Sequence, residues 1–267
     1  MAEERIDPLF FGSAEHRLFG CHHSLQGSPS GGLGVVIAPA VGHEYSRAHR
    51  ALRQLARMIA NGGMRALRFD LSGSGDSAGD GWPDSLHIWG TDLDLALREL
   101  ALRTRVERSA LVGVRLSATM ALDRLAAGAS VSRVVLWDPI LDGAGYAQAL
   151  RQSAARFEQS LPDARRESRP QGLALECMGH GWSEPLLMSL RQWQAPKFER
   201  LGNTRVLILE ATISSTASAL AASLERGGAR VRHETSSGSE PWNEDIDRGL
   251  VPARDLARIV EFLREDP

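Results

Sequence analysis

From residue 33 to residue 138 the chain alternates short apolar runs with longer stretches that are apolar only at helical spacing. That alternation restricts the fold more than any other feature of the sequence. Leu33–Ala38 is a continuous apolar run of strand length, as a strand buried on both faces requires. In Arg47–Asn61, Leu52, Leu55, Ala56 and Ile59 recur at helical spacing, while Arg50, Arg53 and Arg57 take other faces. Asn61-Gly62-Gly63 supplies a helix stop. Met64–Asp70 reads as the next strand, Leu71–Gly81 as a Gly/Ser/Asp loop and Trp89–Leu102 as a second helix. Ser109–Gly113, Leu116–Ala127 and Ser132–Asp138 then read as strand, helix and strand. Such alternation implies right-handed parallel crossovers and a doubly wound, mostly parallel α/β sheet.

The flanks complete the outline. Pro8–Phe11 and Arg17–His23 around a polar turn predict a hairpin at a sheet edge, and Gly27–Gly34 reads as a linker. After residue 139 the regularity breaks. Ile140–Leu201 holds a helical stretch at Tyr146–Gln159, a Pro/Arg-rich stretch and a small-residue segment around Met178–Trp182. It is too long for a connection, so residues 140–201 are expected to form a helical cap inserted over the carboxyl edge of the sheet. Residues 1–139 and 202–267 would be the core. Its second half has strands at Arg205–Glu210 and Arg230–Glu234, a helix at Thr216–Arg226 and a closing helix from Pro252 to Leu263.

A length of 267 residues is ample for one large core. A net charge of −2, with Arg and Glu interleaved, gives no electrostatic reason to expect nucleic acid or an anionic membrane as partner. The first residues lack an apolar leader, and no apolar run approaches the roughly 20 residues that span a bilayer. A cytoplasmic protein is therefore expected, with its two cysteines, Cys21 and Cys177, as reduced buried thiols. The expected partner is a small-molecule substrate or ligand, with a homodimer left open. His22-His23 on a strand would point to opposite faces, and no Cys/His/Asp cluster has ligand spacing, so no metal is expected. Gly73-x-Gly75 lacks the further glycine of a phosphate-binding loop, and no other cofactor signature is present.

Chemistry should sit where Leu111-Val112-Gly113-Val114-Arg115-Leu116-Ser117-Ala118 runs from a buried strand directly into a helix. A glycine two residues before the apex resembles the nucleophile elbow of α/β-hydrolases. Gly42-His43-Glu44-Tyr45-Ser46-Arg47 occupies the place of that superfamily's oxyanion loop. Asp70-Leu71-Ser72-Gly73-Ser74-Gly75-Asp76-Ser77 resembles its D-x-x-G-x-G-x-S loop, and Leu136-Trp137-Asp138-Pro139 ends the strand after the elbow. Within the superfamily the run is similar to the hydrolase-like proteins associated with exosortase systems and related bacterial biosynthetic clusters, which tend to carry arginine at the elbow. The resemblance implies a small acyl, ester or carboxylate-bearing substrate in a biosynthetic pathway.

The departures carry as much weight. A guanidinium is not deprotonated near neutral pH, so Arg115 cannot be an acyl-accepting nucleophile. The loop where the resemblance implies a histidine reads Ser236-Ser237-Gly238-Ser239-Glu240-Pro241-Trp242, and His233 falls inside the preceding strand. The acid position offers only Glu210. Arg115 could pair with Asp138 or with Glu44, could hold a substrate anion bidentately, or could stabilise an oxyanion. The amides at Leu116 and near Val41–Gly42 would add an anion-friendly cradle. His43 beside Glu44 could pass a proton; alternatively Glu44 binds Arg47 or Arg115 and His43 caps a helix. Gly42, Leu116, Ser117, Asp138 and Trp242 are the expected substrate contacts. Ser117, in the first helical turn, more readily bonds backbone than attacks a carbonyl. Asp76 and Ser77 would shape their loop, with Gly73 and Gly75 serving unusual backbone angles. Tyr146, Trp182 and Trp193 would line a pocket or pack the cap. Three readings follow: an enzyme with a rearranged site, a pseudohydrolase that binds a ligand or partner, and a serine hydrolase with a displaced nucleophile.

Overall fold

The computed structural model describes residues 3–27, 31–79, 83, 85–160, 172–238, 240–243 and 250–265. The Pro/Arg-rich stretch of the cap and parts of three predicted loops lie outside these residues. An eight-stranded sheet forms the centre, in the order β1-β2-β4-β3-β5-β6-β9-β10. Its strands are β1 (Glu4–Gly12), β2 (Arg17–Leu25), β3 (Leu33–Ala38), β4 (Arg65–Phe69), β5 (Arg108–Val114), β6 (Arg133–Trp137), β9 (Arg205–Glu210) and β10 (Arg230–Thr235). β1 pairs antiparallel with β2, and β2 with β4. From β4 to β10 every pairing is parallel.

Alternation along the central strands explains the two layers of core. Val36, Leu111, Val134, Leu136, Val206 and Ile208 face one side, with α2 (Leu86–Thr104), α3 (Leu116–Ala126) and α6 (Ser215–Arg226). Val35, Ile37, Val112, Val135, Leu207 and Leu209 face the other, with α1 (His43–Asn61) and α7 (Ala253–Arg264). Both faces are covered, which is why the strands read as unbroken apolar runs. α1 and α7 each carry a narrow apolar stripe, supplied in α1 by Leu52, Leu55, Ala56 and Ile59.

The structure differs from the sequence reading at two places that matter for the site. α1 begins at His43 rather than near Arg47, because Gly42 at φ 64° turns the chain straight into the helix. Glu44 is thus a first-turn residue of α1, buried against another helix's N-terminus and not on an open loop. The segment expected as a helical cap is not wholly helical in its described residues. Between α4 (Gly143–Ser160) and α5 (Glu184–Gln192) it holds an antiparallel hairpin, β7 (Leu173–Cys177) and β8 (His180–Ser183). The connecting residues Met178 and Gly179 have φ of 51° and 84°, as a two-residue hairpin turn of matching twist demands.

Candidate functional site

β5 passes into α3 through a single residue. Arg115 sits at φ 55°, ψ −118°, and its N–H donates to Trp137 O at 2.9 Å. The turn is so tight that a Cβ on Gly113 would lie 2.6 Å from Ala118 Cα and 2.7 Å from Ser117 O, so glycine is required there. Asp138, just past the end of the neighbouring strand, is also left-handed at φ 47°. Two non-glycine residues in this region face each other, and such backbone persists only where surrounding contacts hold it.

Those contacts are ionic. Arg115 Nε and Nη2 donate to Glu44 Oε1 at 3.2 and 3.1 Å, and Nη1 donates to Asp138 Oδ2 at 2.6 Å and to Asp138 O at 3.2 Å. The guanidinium carbon lies 5.4 Å from the centre of the Trp242 ring. One cation is shared between two carboxylates in a largely dry setting. Burial raises the pKa of Glu44, and Arg115 offsets this only in part; Asp138 is raised for the same reason. Burial disfavours the charged guanidinium too, but Glu44 and Asp138 together outweigh it and hold the Arg115 pKa above its ordinary value. Glu44 Oε2 and Tyr146 Oη are both buried, and the Tyr146 hydroxyl beside Glu44 favours the charged form of the carboxylate.

The other sequence-predicted residues fall around this cluster. His43 Nδ1 lies 3.6 Å from Cys177 Sγ at the end of β7. Burial, then Arg47, lowers the His43 pKa to about 4, so the ring is neutral at physiological pH. Arg47 does not bind Glu44; it reaches Trp242 O and Met178 Sδ. Leu116 and Ser117 are fully buried, and the Ser117 hydroxyl donates to Pro39 O at 2.5 Å. Gly42 packs under Trp182, whose Cζ2 would lie 2.9 Å from a Cβ at that position. Trp242 is buried edge-to-face on Trp137, forming the floor beneath Arg115. In the loop where a triad histidine would stand, Ser237 instead binds Asp255 through both N and Oγ at 2.7 Å. His233, in β10, pairs with Glu210 Oε2 at 2.7 Å, so the acid at the end of β9 is committed to a histidine on the neighbouring strand.

A second constellation was not visible in sequence. Ser72 Oγ, His16 Nε2 and the buried Asp92 meet at 2.5–3.0 Å. It holds the residue types of a hydrolytic triad but not the relay. Asp92 Oδ1 and Ser72 Oγ both approach the same ring nitrogen, and the serine hydroxyl donates directly to Asp92. The trio ties the β1–β2 turn and the glycine loop onto α2. In that loop Asp70 accepts from Tyr45 Oη and Asp76 N, and Ser77 bridges Asp70 O and Phe19 N. Gly73 and Gly75 adopt φ of 76° and 53°, as expected.

No protein family and no curated protein matches the chain by sequence. Solved structures do match. An esterase of Pyrococcus furiosus, Pf2001, superposes with a TM-score of 0.66 at 12% identity over 97% of this chain and 90% of that one. DcsB, solved with a substrate analogue, gives 0.65 at 15% identity over 97% and 98%. Est1E of Butyrivibrio proteoclasticus, solved with ferulic acid, gives 0.62 at 16% identity over 96% and 100%. At these identities the likeness is one of fold: the chain has the α/β-hydrolase fold over nearly its whole length.

Proposed function

We propose that this chain is an α/β-hydrolase-fold protein that binds a small acyl- or ester-bearing molecule without attacking it through the elbow. One observation carries the reading: the apex of the elbow is Arg115, and its fork is already engaged by Glu44 and Asp138. A substrate carboxylate seeking bidentate capture would have to displace two buried anions. The site's own charges therefore favour an uncharged ligand over an anion. The displaced-serine reading is disfavoured by Ser117, whose hydroxyl is fully buried and spent on Pro39 O. An enzyme with a rearranged site is the second reading, and neutral His43 beside the cluster is what favours it. Incubation of the purified protein with short and medium acyl esters and thioesters separates the two. The binding reading expects no turnover above the uncatalysed rate. Turnover that disappears in His43→Gln on a folded protein would establish the second.

A further inference from the structure

The three arginines that stand off the apolar stripe of α1 share one face. Arg50, Arg53 and Arg57 follow one another at i, i+3 and i+7, and all three are exposed. Like charges at these spacings repel, and the helix supplies no acid to relieve them. The one acid in α1, Glu44, is turned to Arg115. Arg57 has Glu4 at 3.7 Å, and that carboxylate also binds His23 Nδ1 at 2.9 Å. Among the described residues, Arg50 and Arg53 have neither a hydrogen bond nor an ion pair. The three side chains wall a groove of about 410 Å³ between α1 and the start of α7. Glu4 is the one acid on its described walls, and the half-buried Met58 and Val251 add apolar surface. A volume of this size suits a small molecule. By helix rise the arginines lie about 9 to 20 Å along α1 from Glu44, so the groove is separate from the elbow.

We infer that this groove binds a small molecule through a diphosphate group held by Arg50, Arg53 and Arg57. Each guanidinium fork can donate two parallel N–H bonds to phosphate oxygens. A diphosphate offers oxygens on two phosphorus centres and carries more charge than a carboxylate or a monophosphate, so three guanidiniums can share it. Its arrival turns a row of mutually repelling cations into a set of paired ones. The remaining volume, beside Met58 and Val251, takes the organic part of the molecule. This site goes beyond the binding reading at the elbow and does not depend on it.

Inorganic diphosphate is the probe. It is titrated calorimetrically into the whole chain, beside inorganic phosphate and acetate, without divalent cations and at about 0.15 M salt, where distant charges are screened. Diphosphate is expected to bind the wild type about tenfold tighter than phosphate or better, and acetate is expected not to saturate. Arg53→Gln and Arg50→Gln should each weaken diphosphate binding about tenfold. Both positions are exposed, and circular dichroism checks that each variant is folded. Arg151→Gln removes the same charge from α4, outside the groove, and should bind as the wild type does. Three results would each overturn the inference: no binding of diphosphate to the wild type, equal binding of diphosphate and phosphate, or as large a loss in Arg151→Gln as in Arg53→Gln. None of them touches the silent elbow, which only ester turnover can contradict.

Discussion

Two arginine–carboxylate clusters lie at opposite edges of the parallel sheet, and they are built on opposite plans. At the carboxyl edge one arginine, Arg115, serves two acids, and both Arg115 and Asp138 sit on left-handed backbone. At the amino edge one acid serves three arginines: Glu265 accepts from Arg205 and Arg232 through its carboxylate and from Arg133 through its carbonyl. Arg133 and Arg205 sit at the start of regular strands, and Arg232 is 39% exposed. The amino-edge cluster fastens the end of α7 to the sheet, and water screens part of it. The carboxyl-edge cluster buries Glu44 almost completely and holds a strained turn. Positive-φ backbone therefore gathers at the carboxyl edge, while the amino-edge cluster rests on regular strands.

That contrast can be broken by mutation. Arg115→Ala should cost about 3–5 kcal/mol at neutral pH, because it strands a buried carboxylate. The loss should shrink at a lower pH, because burial raises the pKa of Glu44 and the stranded carboxylate can then take up a proton. Chemical denaturation of wild type and variant at the two pH values checks both statements. Replacing the pair together, Arg115→Met with Glu44→Leu, should recover most of the stability, since apolar substitution of a buried ion pair is close to neutral. Failure to recover would mean that the strained turn itself needs the guanidinium.

The pH dependence sharpens the account. His22 and His43 both have their pKa lowered to about 4 in the folded state, in each case first by burial. An unfolded histidine titrates near 6.5, so between about pH 6.5 and 4 the unfolded chain binds more protons at these two sites. Their contribution to stability is full above that window and falls as pH drops through it. His22→Gln and His43→Gln should each flatten the slope of unfolding free energy against pH. At the amino edge, Glu265→Ala should cost about 1 kcal/mol or less, because its partners are partly solvated. Ser117→Ala should cost a similar amount, about 1 kcal/mol for one buried hydrogen bond, and should leave any turnover unchanged.

How far the sequence spoke depends on the range of the interaction. Strands β3, β5 and β6 were legible because their central residues are buried on both faces and so nearly all apolar, and the elbow because Gly113 precedes its apex by two. The pairing of Arg115 was legible as a choice between Glu44 and Asp138; the structure takes both, since a guanidinium has donors enough for two acids. The cap hairpin was hidden because its turn is Met178-Gly179, lacking the Asn or Asp that usually announces one. The meetings of His16 with Asp92 and of Cys177 with His43 join segments far apart in the chain, and no local pattern encodes them. Trp242 was expected to touch a ligand, yet it is buried beneath Arg115; an aromatic in a polar loop does not reveal which way it turns.

The most direct test of the silent elbow is turnover of a panel of short and medium acyl esters and thioesters by the folded wild-type protein, run beside Arg115→Met with Glu44→Leu. The account predicts the uncatalysed rate for both proteins. Turnover by the wild type that is lost in the double variant would contradict it, and would place the chemistry on the arginine cluster itself.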